Sequence, residues 1–272
     1  VRIDAGGVGI ECDVHGPDGG RPVVLLHGFP DAAELWRHQV PVLVDAGFRV
    51  VTPDLRGAGR SDAPEAVEDY SLLVLANDVL AVLDELGIER AHVVGHDFGS
   101  ALAWVLATFC ADRVDHLVAM SVGHPAAFSL REFEQGKASW YMLLFQFADV
   151  AERWLRNDDW ANLRAWSEHP DIDRVIARFE GGASLTAALN LYRANITPEA
   201  WVAEPMELPP VPTPTMGIWS DRDFALGEAQ MLRSGDQVAG SWRYERVDGA
   251  GHWMQLDAPS AVNDLLVDFL PG

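Results

Sequence analysis

The chain has 272 residues, 49% of them hydrophobic, enough for one large domain with a sizeable core. Its 41 acidic residues outnumber 20 basic ones, and the resulting formal charge of −21 argues against nucleic acid or an anionic membrane surface as a partner. No apolar run approaches the roughly 20 residues of a membrane span, and residues 1–15 lack the basic-then-apolar pattern of a secretion signal.

Ile3 to Val14 alternates loosely around Gly6-Gly7, which predicts a β-hairpin at a sheet edge. Val23-Val24-Leu25-Leu26 is a continuous apolar run, the pattern of a strand buried on both faces, and it ends at His27-Gly28-Phe29-Pro30. Ala33 to Ala46 reads as one helix stopped by Gly47, Phe48 to Pro53 as the next strand, and Asp54 to Pro64 as a glycine-containing loop. Leu72, Leu75, Ala76, Val79, Leu83 and Leu86 fall on one helical face, ended by Gly87. A short strand from Ala91, a tight turn and an apolar helix to about Cys110 follow, then a strand from Val114 to Val122. Strands alternating with helices at this spacing predict a parallel sheet flanked by helices. In such sheets ligands sit beyond the carboxyl ends of the strands.

From about His124 to Glu207 the texture changes: no strand-like run occurs, and aromatic and charged residues dominate. Short amphipathic helices are expected over Ser139–Phe147, Val150–Arg156, Trp160–Ser167, Ile172–Phe179 and Ser184–Asn195. A proline-rich stretch (Pro205, Pro209, Pro210, Pro212, Pro214) closes the segment. Strands resume at Thr215–Trp219 and Tyr244–Val247, and a last helix spans about Pro259 to Leu270. The organisation read from this is a core of residues 1–123 and 208–272 with a helical cap, 124–207, inserted in it. Cys12 and Cys110 are read as two reduced core residues, which fits a cytoplasmic setting.

The turn at Gly95-His96-Asp97-Phe98-Gly99 has the form G-x-Nu-x-G, a strained strand-to-helix turn that lifts one side chain above the sheet. The usual occupant of its centre is Ser; here it is Asp97. A carboxylate can displace at a strained sp³ carbon without first losing a proton, whereas a Ser elbow suits acyl transfer. The plainer reading of Asp97 is a helix N-cap. His252, after the last strand, is a candidate base, with Asp223 or Asp221 as the carboxylate that orients it. The order nucleophile, acid, His is the chain order found where the nucleophile stands on such an elbow. The backbone N–H groups of Phe98 and Phe29 are suited to an oxyanion hole at the Asp97 carboxyl.

With these residues in hand the chain resembles the α/β-hydrolase-fold epoxide hydrolases over nearly its whole length. The matching pieces are His27 to Pro30, Asp54 to Ser61, Gly95 to Gly99, Ser139 to Gln146, Asn190 to Arg193, Asp221 to Asp223 and Gly251 to Trp253. The resemblance implies an α/β-hydrolase fold and hydrolysis of an epoxide to a diol. It makes Asp97 the nucleophile and Tyr141 and Tyr192 the donors to the ring oxygen. His252 with Asp223 activates water, Asp223 being the position that matches the family's acid. It also suggests Phe29, Pro30, Trp36, Phe98 and Trp253 as pocket residues; the family most often has Trp where this chain has Phe98.

No metal-ligand or phosphate-loop spacing occurs, so no metal or cofactor is expected. The expected partners are a small epoxide and water, with a monomer or homodimer both compatible. Two other functions compete. A haloalkane dehalogenase also uses an elbow Asp, but Phe98 and Phe29 stand where those enzymes hold the departing halide with Trp and often Asn. A non-catalytic binding protein on this fold has no need of Asp97, Asp223, His252 and both tyrosines together.

Overall fold

The computed structural model describes residues 1–204 and 206–272. Pro205, first of the proline-rich stretch, lies outside the described residues. Eight strands form one sheet: β1 (Arg2–Asp4), β2 (Gly9–His15), β3 (Arg21–Leu26), β4 (Phe48–Pro53), β5 (Ala91–His96), β6 (Val114–Met120), β7 (Thr215–Ser220) and β8 (Trp242–Val247), in the order β1-β2-β4-β3-β5-β6-β7-β8. β1 and β2 pair antiparallel across a turn in which Gly6 and Gly7 both take positive φ, and β2 pairs antiparallel with β4. All later pairings are parallel.

The helices are α1 (Gln39–Asp45), α2 (Leu72–Glu85), α3 (Phe98–Phe109), α4 (Phe133–Ala138), α5 (Trp140–Leu144), α6 (Val150–Ser167), α7 (Ile172–Glu180), α8 (Leu185–Asn195), α9 (Glu228–Ser234), α10 (Met254–Asp257) and α11 (Pro259–Phe269). Strand side chains alternate between two apolar clusters. Val24, Leu26, Val51 and Val93 share one with α2 and α3; Val23, Leu25, Val50 and Val94 share the other with α1 and α11. Burial on both sheet faces is why these strands read as unbroken apolar runs. Each such side chain contributes about 1.5–3 kcal/mol when fully buried. No helix among the described residues is long and apolar enough to cross a membrane.

The expected single helix over Ala33–Ala46 is two pieces. A 3-10 turn at Ala33–Trp36 ends, and α1 starts afresh at Gln39. Pro41 accounts for the break, because proline is accommodated in the first turn of a helix and not in its interior. Between β6 and β7 the described residues form α4 to α8 and no strand. Within α6 the backbone leaves the helical region at Asn157–Trp160, which separates 150–156 from 161–167 much as the sequence pattern implied. α4 has no counterpart in the sequence reading.

Strand register aligns the site. Leu26, Gly95, Ala119, Gly217 and Tyr244 lie in one row across β3, β5, β6, β7 and β8. Just past that row the chain delivers Phe29, Asp97, Asp223 and His252 to one rim.

Candidate active site

Asp97 sits at the turn between β5 and α3 with φ 54° and ψ −123°, a conformation that L-residues other than glycine rarely hold. The flanking glycines permit it. A Cβ at Gly95 would collide with the carbonyl of Gly99, and one at Gly99 with the carbonyl of Leu26. Asp97 makes no side-chain cap to α3, so its carboxylate does not serve as an N-cap. Instead the Phe29 N–H donates to Asp97 Oδ1 at 2.8 Å. The Phe98 N–H is the first of α3, among the amides a helix leaves without an internal partner.

Two clamps aim the loop that carries Phe29. The Leu55 N–H donates to His27 Nε2 at 2.9 Å, and the Ala33 N–H donates to Asp54 Oδ1 at 2.9 Å. Asp54 also accepts from Arg60, and Arg56 is held by a buried two-pronged pair with Asp78 of α2. The Asp54–Ser61 motif is therefore a scaffold for the loop facing Asp97.

His252 stands on the other side of Asp97. Its Nδ1 is 2.9 Å from Asp223 Oδ2 and its Nε2 is 3.6 Å from Asp97 Oδ2. Asp223 accepts from the Ala225 and Leu226 N–H groups through its second oxygen, and its side chain is fully buried. Asp221 turns elsewhere, accepting from the Gly249 N–H at 2.6 Å. The His252 carbonyl accepts from Ser121 Oγ and from His96 Nε2, contacts with no sequence signature. Burial pushes the His96 imidazole down to about 4, so it donates as a neutral ring.

Burial alone would lower the His252 pKa, but the carboxylates of Asp223 and Asp97 outweigh it and raise it to about 10. Asp223 is held below the usual carboxylate range: burial opposes this, and His252 with the two backbone donors prevails. The stability that His252 protonation contributes is complete below 6.5, the ordinary histidine value, and is lost as pH rises through 10. The urea unfolding midpoint is expected to fall between about pH 7 and about pH 10. It should fall less steeply in His252→Gln, which lacks the titrating ring.

Tyr141 of α5 and Tyr192 of α8 are both buried, with ring centroids 5.9 Å apart. Both hydroxyls have pKa values well above 10. Burial is the main cause for each; Asp97 adds to it for Tyr141, and Tyr141 and then Asp97 for Tyr192. α8 is anchored to the core where the Leu72 N–H donates to Asn195 Oδ1 and Asn195 Nδ2 donates to the Tyr70 carbonyl. Arg193 Nε donates to the Phe145 carbonyl and so ties α8 to the end of α5. Phe98 packs edge-on against Tyr192 with centroids 4.7 Å apart.

A cavity of about 270 Å³ reaches Asp97 and Phe98. Of the expected site residues only Asp97 and Phe98 line it; Phe29, Pro30, Tyr141, Tyr192, His252 and Trp253 do not. Phe29 packs on Tyr192, the Pro30 carbonyl accepts from Arg178, and the Trp253 ring lies 4.8 Å from that of His252. Trp253 is fixed by its Nε1–H, which donates to Asp31 Oδ2. Asp31 is also 3.1 Å from His169 Nε2 of the helical segment, a buried link invisible in the sequence because its ends are far apart in the chain. Trp36 corrects the expectation of a pocket residue. It is fully buried in the second core cluster with Val23, Leu25 and Val50, because the turn at Ala33–Trp36 carries its ring into that cluster. No group of three or more His, Cys, Asp or Glu among the described residues could hold a metal ion.

A model of the α/β hydrolase fold matches residues 21–259. The chain belongs to the α/β-hydrolase family. It is 31% identical to epoxide hydrolase A of Mycobacterium tuberculosis, over 99% of this chain and 96% of that one. Among α/β-hydrolases of known structure it resembles epoxide hydrolase A from Mycobacterium thermoresistibile, at 32% identity and a TM-score of 0.83, covering 100% of this chain and 98% of that one. It also resembles the Bacillus megaterium epoxide hydrolase bound to an inhibitor, at 28% identity and a TM-score of 0.89, covering 99% of each chain. Its place in the family is thus beside epoxide hydrolases.

Proposed function

We propose that this α/β-hydrolase is an epoxide hydrolase that converts an oxirane to a vicinal diol through an ester on Asp97. The observation that carries the reading is the opposition of one elbow carboxylate to two buried, protonated phenols. A carboxylate nucleophile needs no base, and a leaving oxygen, unlike a halide, needs a proton.

In the first half of the cycle Asp97 Oδ2 attacks one ring carbon and the C–O bond to the ring oxygen breaks. Tyr141 or Tyr192 donates its proton to that oxygen, leaving a phenolate. Esterification removes the negative charge of Asp97, one of the two carboxylates holding the His252 proton. The imidazolium then yields a proton that restores the tyrosine, and His252 becomes a neutral base. In the second half, water gives a proton to His252 Nε2 as it attacks the ester carbonyl. The Phe29 and Phe98 N–H groups stabilise the oxyanion. Its collapse expels the ester's alkoxide oxygen, which takes the proton of the newly formed Asp97 carboxyl group. The diol leaves, Asp97 is again a carboxylate, and His252 is again an imidazolium stabilised by Asp223. The segment 124–207, which carries both tyrosines, serves as a cap over the core formed by 1–123 and 208–272.

The test is turnover of styrene oxide beside 1-bromobutane, with diol and bromide both measured. Diol without bromide is the expected result. Bromide without diol would replace this reading with a dehalogenase.

A further inference from the structure

The space around Asp97 is lopsided. On one side the 270 Å³ cavity runs outward between α3 and the helical segment, lined by apolar side chains that include Phe98, Phe128, Leu130, Met142 and Leu226. Water occupies about 30 Å³ per molecule in the liquid, so this volume suits a substituent of about nine heavy atoms. On the other side four rings interlock. Phe29 lies 5.8 Å from Phe145 and 6.3 Å from Trp166, Phe145 lies 5.3 Å from Trp166, and Trp166 lies 6.0 Å from Phe224. Such centroid spacings are those of aromatic rings already in contact. None of the four lines the cavity, which meets the catalytic groups only at Asp97; Tyr141, Tyr192 and His252 do not line it either. Trp166 also packs on Tyr141 at 4.5 Å, so the wall is continuous with one of the two phenols.

An oxirane bound with its oxygen at Tyr141 and Tyr192 and one carbon at Asp97 has two directions for substituents. One leads into the cavity; the other meets the wall of rings. We infer that the site takes oxiranes carrying an apolar substituent on one ring carbon only, and excludes those substituted on both. This rests on the epoxide hydrolase reading and adds to it a substrate class set by Phe29, Phe145, Trp166 and Phe224. The closed side is a property of side-chain packing. An alanine in place of Trp166 would open it.

The experiment compares styrene oxide with trans-β-methylstyrene oxide, which adds one methyl group to the second ring carbon, in the wild-type protein and in Trp166→Ala. A carbon atom of misfit in an apolar site is worth roughly 10- to 200-fold in kcat/KM. The expected result is a wild-type kcat/KM lower by roughly tenfold or more for the methylated substrate. Trp166→Ala should narrow that ratio. A smaller wild-type gap overturns the inference, whatever the variant does. A wild-type gap that Trp166→Ala leaves unchanged overturns the assignment to the ring wall. Absence of diol from both substrates would instead remove the epoxide hydrolase reading on which the inference stands.

Discussion

His252→Gln is expected to open the epoxide ring and then stop. Gln keeps most of the side chain's volume and its hydrogen bond toward Asp223, so the elbow and both tyrosines stay in place. It cannot accept a proton from water near neutral pH, and loss of a general base costs about 10²–10⁴-fold. The ester on Asp97 should therefore accumulate. Intact-protein mass spectrometry after mixing with styrene oxide should show the protein plus one substrate, and proteolysis should place the added mass on the peptide containing Asp97. An unmodified protein with full turnover would remove His252 from the mechanism. The expectation follows from geometry: His252 Nε2 lies 3.6 Å from Asp97 Oδ2, too far for a strong hydrogen bond and close enough to direct a water at the ester.

The double substitution Tyr141→Phe with Tyr192→Phe should block the cycle earlier. Both hydroxyls are buried beside Asp97 and keep their protons at any ordinary pH. With both removed, the ring oxygen must leave as an alkoxide with no phenol to protonate it. Loss of about 10²–10⁴-fold is expected for one general acid, and the double variant should lie at or beyond the upper end. Each single variant retains one donor and should keep measurable activity. The distinguishing readout is the ester: it accumulates in His252→Gln and should not form in the double variant. Ring packing in the two variants is conserved, since Phe retains the edge-on contacts that Tyr192 makes with Phe98 and Phe29. An unfolded protein is thus not the expected cause of lost activity.

Much of this site is legible in the sequence because its parts are local. Gly95 and Gly99 bracket Asp97 at the spacing of a tight strand-to-helix turn, and the structure gives the reason in the two carbonyls that a Cβ would strike. The strands are legible because burial on both sheet faces removes polar residues from them. What the sequence leaves open is tertiary. Asp221 and Asp223 follow the same strand, and only the fold turns one to the Gly249 amide and the other to His252. Trp36 looks like a neighbour of the loop containing Phe29, yet its turn carries it into the core. The Asp31–His169 contact and the ring wall join distant segments, and no local pattern encodes them. Phe98, the departure from the family's usual residue, has its ring edge-on against Tyr192, a contact between elements distant in the chain.

The covalent route requires that Asp97 itself deliver the oxygen. Excess enzyme is mixed with a limiting amount of styrene oxide in ¹⁸O-water, and the diol from that single turnover is analysed by mass. A diol carrying ordinary oxygen, donated by the Asp97 carboxylate, with ¹⁸O appearing in the protein at Asp97, is the predicted result. A first diol already labelled with ¹⁸O would show direct attack by water and contradict the covalent route.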